Sequence, residues 1–150
     1  MRRRAVIVVP ADSHVSPELI DAAVGEAGRR AGGRPVRVEI LIPAVLPPTL
    51  PIGACPPRLG ARLAALRDAA RSALDARGMR GRAAIVPCRN VPALLHATGP
   101  AETLIVVGRA GWGVRRAAHG VAADLAFMTG TRSRTSRGAA AAAQPRPVAE

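Results

Sequence analysis

The chain has 150 residues, 49% of them apolar, which suffices for one hydrophobic core and excludes disorder of the whole chain. Trp112 and Phe127 are its whole aromatic set, so the core must be built from Val, Ile, Leu and Ala, as in buried parallel strands under Ala-rich helices. The formal net charge is +12 and all 22 basic residues are arginine, which reads either as GC-rich codon usage or as a surface that attracts polyanions; the aromatics that a single-strand nucleic-acid binder interleaves with its basic residues are missing.

Arg2, Arg3 and Arg4 precede an apolar run, Ala5–Val9, but Pro10 and Asp12 end that run short of the roughly 7–15 residues of a secretory signal. No window approaches the ~18 apolar residues of a membrane span. Cys55 and Cys88 lack any metal-binding spacing and read as reduced thiols, so a cytoplasmic location is expected.

The run Ala5-Val6-Ile7-Val8-Val9 predicts a strand buried on both faces. After a loop over Pro10–His14, Ser16-Pro17-Glu18 is a helix start, with Ser as N-cap, Pro at the first position and an acid in the first turn. Leu19, Ile20, Ala23, Val24 and Ala27 form its apolar face, and Gly28 with the Gly32-Gly33 pair ends it. Residues 36–42 make the second strand. Pro43 to Pro57 holds six prolines and predicts a long loop, either a flap over the sheet edge or a loose excursion. Leu59, Leu63, Leu66, Ala70, Ala73 and Leu74 mark an amphipathic helix ending at Gly78. A short third strand follows at 83–86, then a brief helix over Pro92–Ala97 capped by Asn90.

Thr103–Val107 is the fourth strand, and it runs directly into Gly108-Arg109-Ala110-Gly111-Trp112-Gly113. A last helix is expected to carry Val114, Ala117, Ala118, Val121 and Leu125 inward. From Thr129 the chain turns Arg-, Ser- and then Ala-rich, so residues 1–128 read as the domain and 129–150 as a disordered tail. The order βαβαβαβα predicts an open, Rossmann-like parallel sheet of four strands flanked by helices. Ligands in such sheets bind outside the strand carboxyl ends, which singles out the loops at Pro10–His14 and Gly108–Gly113.

Two motifs, Val6-Ile7-Val8-Val9-Pro10-Ala11-Asp12-Ser13 and Leu104-Ile105-Val106-Val107-Gly108-Arg109-Ala110-Gly111, together with the element order over roughly residues 4–126, resemble the universal stress protein family. The resemblance implies strand order 3-2-1-4, an adenine nucleotide such as ATP with Mg as ligand, and a role in the stress response. It points to Asp12, Gly108, Arg109, Gly111, Gly113 and Gly120 as nucleotide-binding residues. ATP-binding members carry two glycines separated by two residues, then nine residues, then Gly followed by Ser or Thr. Here Gly108 and Gly111 match the first pair, eight residues separate Gly111 from Gly120, and Val121 stands at the hydroxyl position, which implies weak affinity.

The residues themselves support that chemistry in outline. Glycines between a strand and a helix let backbone N–H groups approach a phosphate at the helix N-terminus, and Arg109, Arg115 and Arg116 can add charge-assisted contacts. Asp12 can meet a ribose hydroxyl or a phosphate-bound metal, or close an Asx turn. Trp112 is expected to cover the apolar edge of the turn, with base stacking as its alternative role, and His96 and His119 to lie on helix surfaces. No residue is assigned a catalytic or metal-binding role. A module that binds no nucleotide and serves for interaction is the alternative reading, and an Arg-rich nucleic-acid binder the third. With no fifth strand after Phe127, strand 103–107 becomes a bare apolar edge, and self-association through it is expected.

Overall fold

The computed structural model describes residues 3–10, 15–51, 55–129 and 132–133. Along the chain run β1 (Arg3–Val8), α1 (Pro17–Ala31), β2 (Val36–Val45), α2 (Pro57–Ala76), β3 (Arg80–Cys88), α3 (Val91–Thr98), β4 (Thr103–Val107), α4 (Trp112–His119), β5 (Asp124–Thr129) and the two-residue β6 (Arg132–Ser133). They form one sheet in the order β3-β2-β1-β4-β5-β6, parallel from β3 through β5, with β6 antiparallel to β5. The expected fold class and the order 3-2-1-4 are present, and the sheet extends beyond β4.

The two faces of the sheet follow the alternation of the strands. Ala5, Ile7 and Val9 pack with Val38, Ile40, Ile42, Ile105 and Val107 under α1 and α2. Val6, Val8, Leu41, Leu104 and Val106 pack with Leu94 and Leu95 of α3 and Ala117 and Ala118 of α4 on the other face. All five residues of β4 are buried, as the unbroken apolar run requires of a central parallel strand.

Two helix starts follow local chemistry. Ser16 is the N-cap of α1, its hydroxyl accepting from the Leu19 N–H at 3.2 Å, and Asn90 caps α3 by accepting from the Ala93 N–H at 2.7 Å. Helix α1 passes through Gly28 and stops at Gly32, whose φ of 63° is the left-handed C-cap.

Three expectations are corrected. The loop foreseen from Pro43 begins later, because β2 continues through Pro43 and Ala44 to Val45. The Leu41 carbonyl accepts from the Val9 N–H, so alternation turns the Pro43 nitrogen toward the β1 side, beyond the last paired residue of β1. The β1–β2 ladder therefore ends at the position where proline has no N–H to offer.

The second correction concerns the last helix. It ends at His119, and Leu125 lies in β5, paired with Leu104. The run Asp124-Leu125-Ala126-Phe127-Met128 contains no β-branched residue and holds good helix formers, so local propensity hides a strand that its pairing with β4 decides.

The third follows from the second. Strand 103–107 is interior, with β1 on one side and β5 on the other, so it offers no free edge for self-association. Of the foreseen tail, residues 132–133 form β6, while residues 134–150 lie outside the described residues. Among the described residues no helix is long and apolar enough to cross a membrane.

Candidate functional site

Strand order reverses between β1 and β4, the two central neighbours, so their carboxyl ends open onto one crevice. The chain leaves β4 through Gly108, which is buried and has φ +86°, a conformation that disfavours any side chain. The Gly108 N–H donates to the Met128 carbonyl at 2.7 Å, which ties the turn to β5. A Cβ on Gly108 would stand 3.3 Å from Cγ2 of Val15, so the β1–α1 connection and the β4–α4 turn touch here.

Helix α4 begins four residues later, at Trp112. Its N-cap, Gly111, has extended geometry and supplies no side-chain cap, and its first turn contains no acid. Among the described residues no side chain caps the leading N–H groups of α4, and the helix dipole favours an anion there. A Cβ on Gly111 would meet nothing within 4 Å, so the approach to these groups is open.

Around the turn the arginines divide. Arg109 is exposed. Arg115 donates through Nε to the Ala110 carbonyl at 3.1 Å and lies 4.6 Å from the Phe127 ring centre. Arg116 lies 5.2 Å from the ring centre of Trp112. Trp112 does not cover the apolar edge of the turn as foreseen. It is 74% exposed at the mouth of the site, held only by that cation–π contact among the interactions described.

Gly108, Arg109, Gly111 and Gly113 are thus brought together in one turn. Gly113 lies on the α3 side of it, with Pro92 Cγ 3.7 Å from where its Cβ would be. Gly120 is placed elsewhere. It is the C-cap of α4, eight residues further along, so it sits about 12 Å from the turn at 1.5 Å rise per residue. Its counterpart in the ATP-binding pattern would be expected beside the phosphates, and this chain has instead used the intervening residues to build the helix itself. Asp12, Ser13 and His14 lie outside the described residues.

Other reactive groups do not converge. His96 and His119 are exposed on α3 and α4. Cys55 is exposed, Cys88 is buried, and burial pushes the Cys88 thiol up, away from the reactive thiolate. No group of three or more His, Cys, Asp or Glu side chains that could hold a metal ion occurs among the described residues.

Two features were not visible in the sequence. Asp124 anchors β5 by accepting from the Thr103 hydroxyl at 2.9 Å and by an ion pair with Arg30 of α1. Gly81 lets β3 close on β2, since a Cβ there would fall 1.9 Å from the Val38 carbonyl oxygen. Neither carries a local signal, because both depend on contacts between distant segments.

No protein-family model and no curated protein matches the sequence. Among solved structures, the chain is similar to the universal stress protein from Archaeoglobus fulgidus, with a TM-score of 0.54 and 16% identity over 85% of this chain and 93% of that one. The match covers most of both chains, and on that ground the chain has the universal stress protein fold.

Proposed function

We propose that the chain binds an adenine nucleotide weakly, with its phosphates at the Gly108–Gly113 turn and its body toward the loop that contains Asp12. The observation that carries this reading is the uncapped N-terminus of α4, reached through a left-handed Gly108 at the point where strand order reverses. Exposed Arg109 adds a cation, and the open space over Gly111 admits a phosphate. The name of the structural neighbour extends the reading to a role in the stress response. If Mg accompanies the nucleotide, Asp12 is its candidate ligand from this chain.

Titration calorimetry with Mg-ATP tests it. Gly111→Val should abolish binding while leaving the fold intact, because φ of −74° suits valine and its Cβ meets no neighbour. Unchanged affinity in that variant places the nucleotide elsewhere. The second reading, an interaction module without a nucleotide, is favoured by Gly120 ending α4, by Val121 at the hydroxyl position and by the exposed Trp112. Absence of heat from ATP, ADP and AMP with the unmodified chain would select it.

A further inference from the structure

Strand β3 stands at one end of the sheet order, and among the described residues its ladder partner is β2 alone, so its other edge is open. The Cys88 carbonyl accepts from the Leu46 N–H, so Cys88 and the even-numbered residues before it direct their backbone groups toward β2. Alternation turns the N–H and C=O of Ala83 and Ile85 outward. Pro87 faces outward as well, and its missing N–H ends the pairing edge short of the carboxyl end of β3. The stretch open to a further strand is residues 80–86.

Side chains along this edge divide by face. Ala83 and Ile85 pack on the core under α1 and α2. Val86 and Cys88 pack on the core under α3 and α4, so Arg80, Arg82 and Ala84 leave the sheet on that side. There Arg80 and Arg82 are exposed, while Ala84 and Val86 are half-buried. Arg4, Arg37 and Arg80 stand in one row across β1, β2 and β3, and all three leave on this same face. Like charges directly opposite each other oppose strand pairing. Arg4 is compensated, since it donates to Glu39 and to the Thr98 and Pro100 carbonyls. Glu39 also lies 3.8 Å from Arg82, so one carboxylate is shared between two arginines. Neither Arg37 nor Arg80 has a carboxylate partner among the described residues.

We infer that β3 is a docking edge for an extended acidic segment of another protein, added to the sheet as a further strand with carboxylates at alternate positions beside Arg80 and Arg82. Main-chain hydrogen bonds to Ala83 and Ile85 supply affinity, and the alternate side chains supply specificity. Two residues along a strand span about 6.6 Å, so carboxylates at every second position keep step with Arg80 and Arg82. The carboxylate beside Arg80 also relieves its opposition to Arg37. On the other face of the segment, apolar side chains cover Ile85, which is half-buried. A second copy of this chain fits the edge less well, since it brings its own Arg80 and Arg82 and a net charge of +12. A nucleic-acid strand also fits less well, because the two aromatics, Trp112 and Phe127, lie on α4 and β5, away from β3 in the sheet order.

Titration calorimetry of the full chain with a synthetic heptapeptide, blocked at both ends, with glutamate at its odd positions and valine at its even ones, tests the edge. Saturable one-to-one binding is expected, and a peptide of the same composition with its glutamates consecutive should bind at least about tenfold more weakly. Arg80→Ala with Arg82→Ala should weaken the alternating peptide by about tenfold or more, while Arg58→Ala with Arg71→Ala, an equal charge loss on exposed α2 positions, should change it less than about twofold. Thermal melting shows that each variant folds. Amide hydrogen exchange supplies a readout that charge alone would not move: Ala83 and Ile85 should exchange freely in the chain alone and slow when the peptide is bound. No saturable binding, equal affinity for the two peptides, or unchanged exchange at Ala83 and Ile85 overturns the proposal. Tighter binding of a thymidine oligonucleotide, lost in the Arg80/Arg82 variant, overturns it in favour of nucleic acid. Protection of Ala83 and Ile85 that grows with the concentration of the chain alone overturns it in favour of a second copy.

Discussion

Gly108 and Gly111 stand three residues apart in the same turn and carry different burdens. Gly108 is buried at φ +86° with Val15 closing on the place of its Cβ, so Gly108→Ala must accept both left-handed strain and a contact of 3.3 Å. A loss of about 1–2 kcal/mol is expected in chemical denaturation. Gly111→Ala, at an ordinary φ with open space around it, should leave stability within about 0.5 kcal/mol. The sequence displays the two glycines as equals, because spacing records where they fall and not the dihedral each must adopt. Gly81 was not legible at all, since its need arises from the Val38 carbonyl more than forty positions away. A further residue-scale expectation concerns acid. Burial alone would raise the Glu26 carboxyl, but hydrogen bonds from Arg29 and Arg30 outweigh it and hold the group below its usual 4.5. Its folded-state value is therefore depressed, so its contribution is present above pH 4.5 and is lost as pH falls through the lowered value. Glu26→Gln should flatten the acid side of a stability-against-pH curve measured by urea unfolding and lower stability at neutral pH.

At the scale of elements, continuous apolar β-branched runs and capped helix starts were readable, and they are the elements whose causes are local: β1, β4, the Ser16 start of α1 and the Asn90 start of α3. Strand β5 was not readable, because Leu125, Ala126 and Met128 favour helix and only the ladder to β4 makes them a strand. What fixes β5 in place is Asp124, which joins Thr103 on β4 and Arg30 on α1. Asp124→Ala should loosen this strand by about 1 kcal/mol, a modest figure because the carboxylate is partly exposed. Hydrogen exchange is the fitting measurement, with faster exchange expected at Leu125–Met128 and little change in β1 and β2.

For the whole molecule, β5 decides whether the sheet is closed on its β4 side. Removing residues 124–150 would strip the ladder partner from β4 and expose four buried apolar residues, Leu104–Val107, at an edge, so that truncated chain should self-associate or precipitate. Removing only residues 134–150 keeps β5 and β6 and should leave the sedimentation behaviour of the domain unchanged. Two parts of the sheet then offer different chemistry: an uncapped helix start at the carboxyl ends of β1 and β4, and an open edge bearing arginines along β3. Half of the first site was legible, since the glycine turn follows directly from β4. Its geometry was not, because the eight residues after Gly111 form α4 rather than a loop and carry Gly120 away from the turn.

The central claim is the location of the nucleotide, and amide chemical-shift mapping of the full chain during Mg-ATP titration tests it most directly. Saturable shifts should concentrate at Gly108–Gly113 and in the first turn of α4, with smaller ones at Val15 across the crevice, and Gly111→Val should remove them. Shifts confined to the amino ends of β2 and β3, or no saturable shift at the turn, would contradict the account.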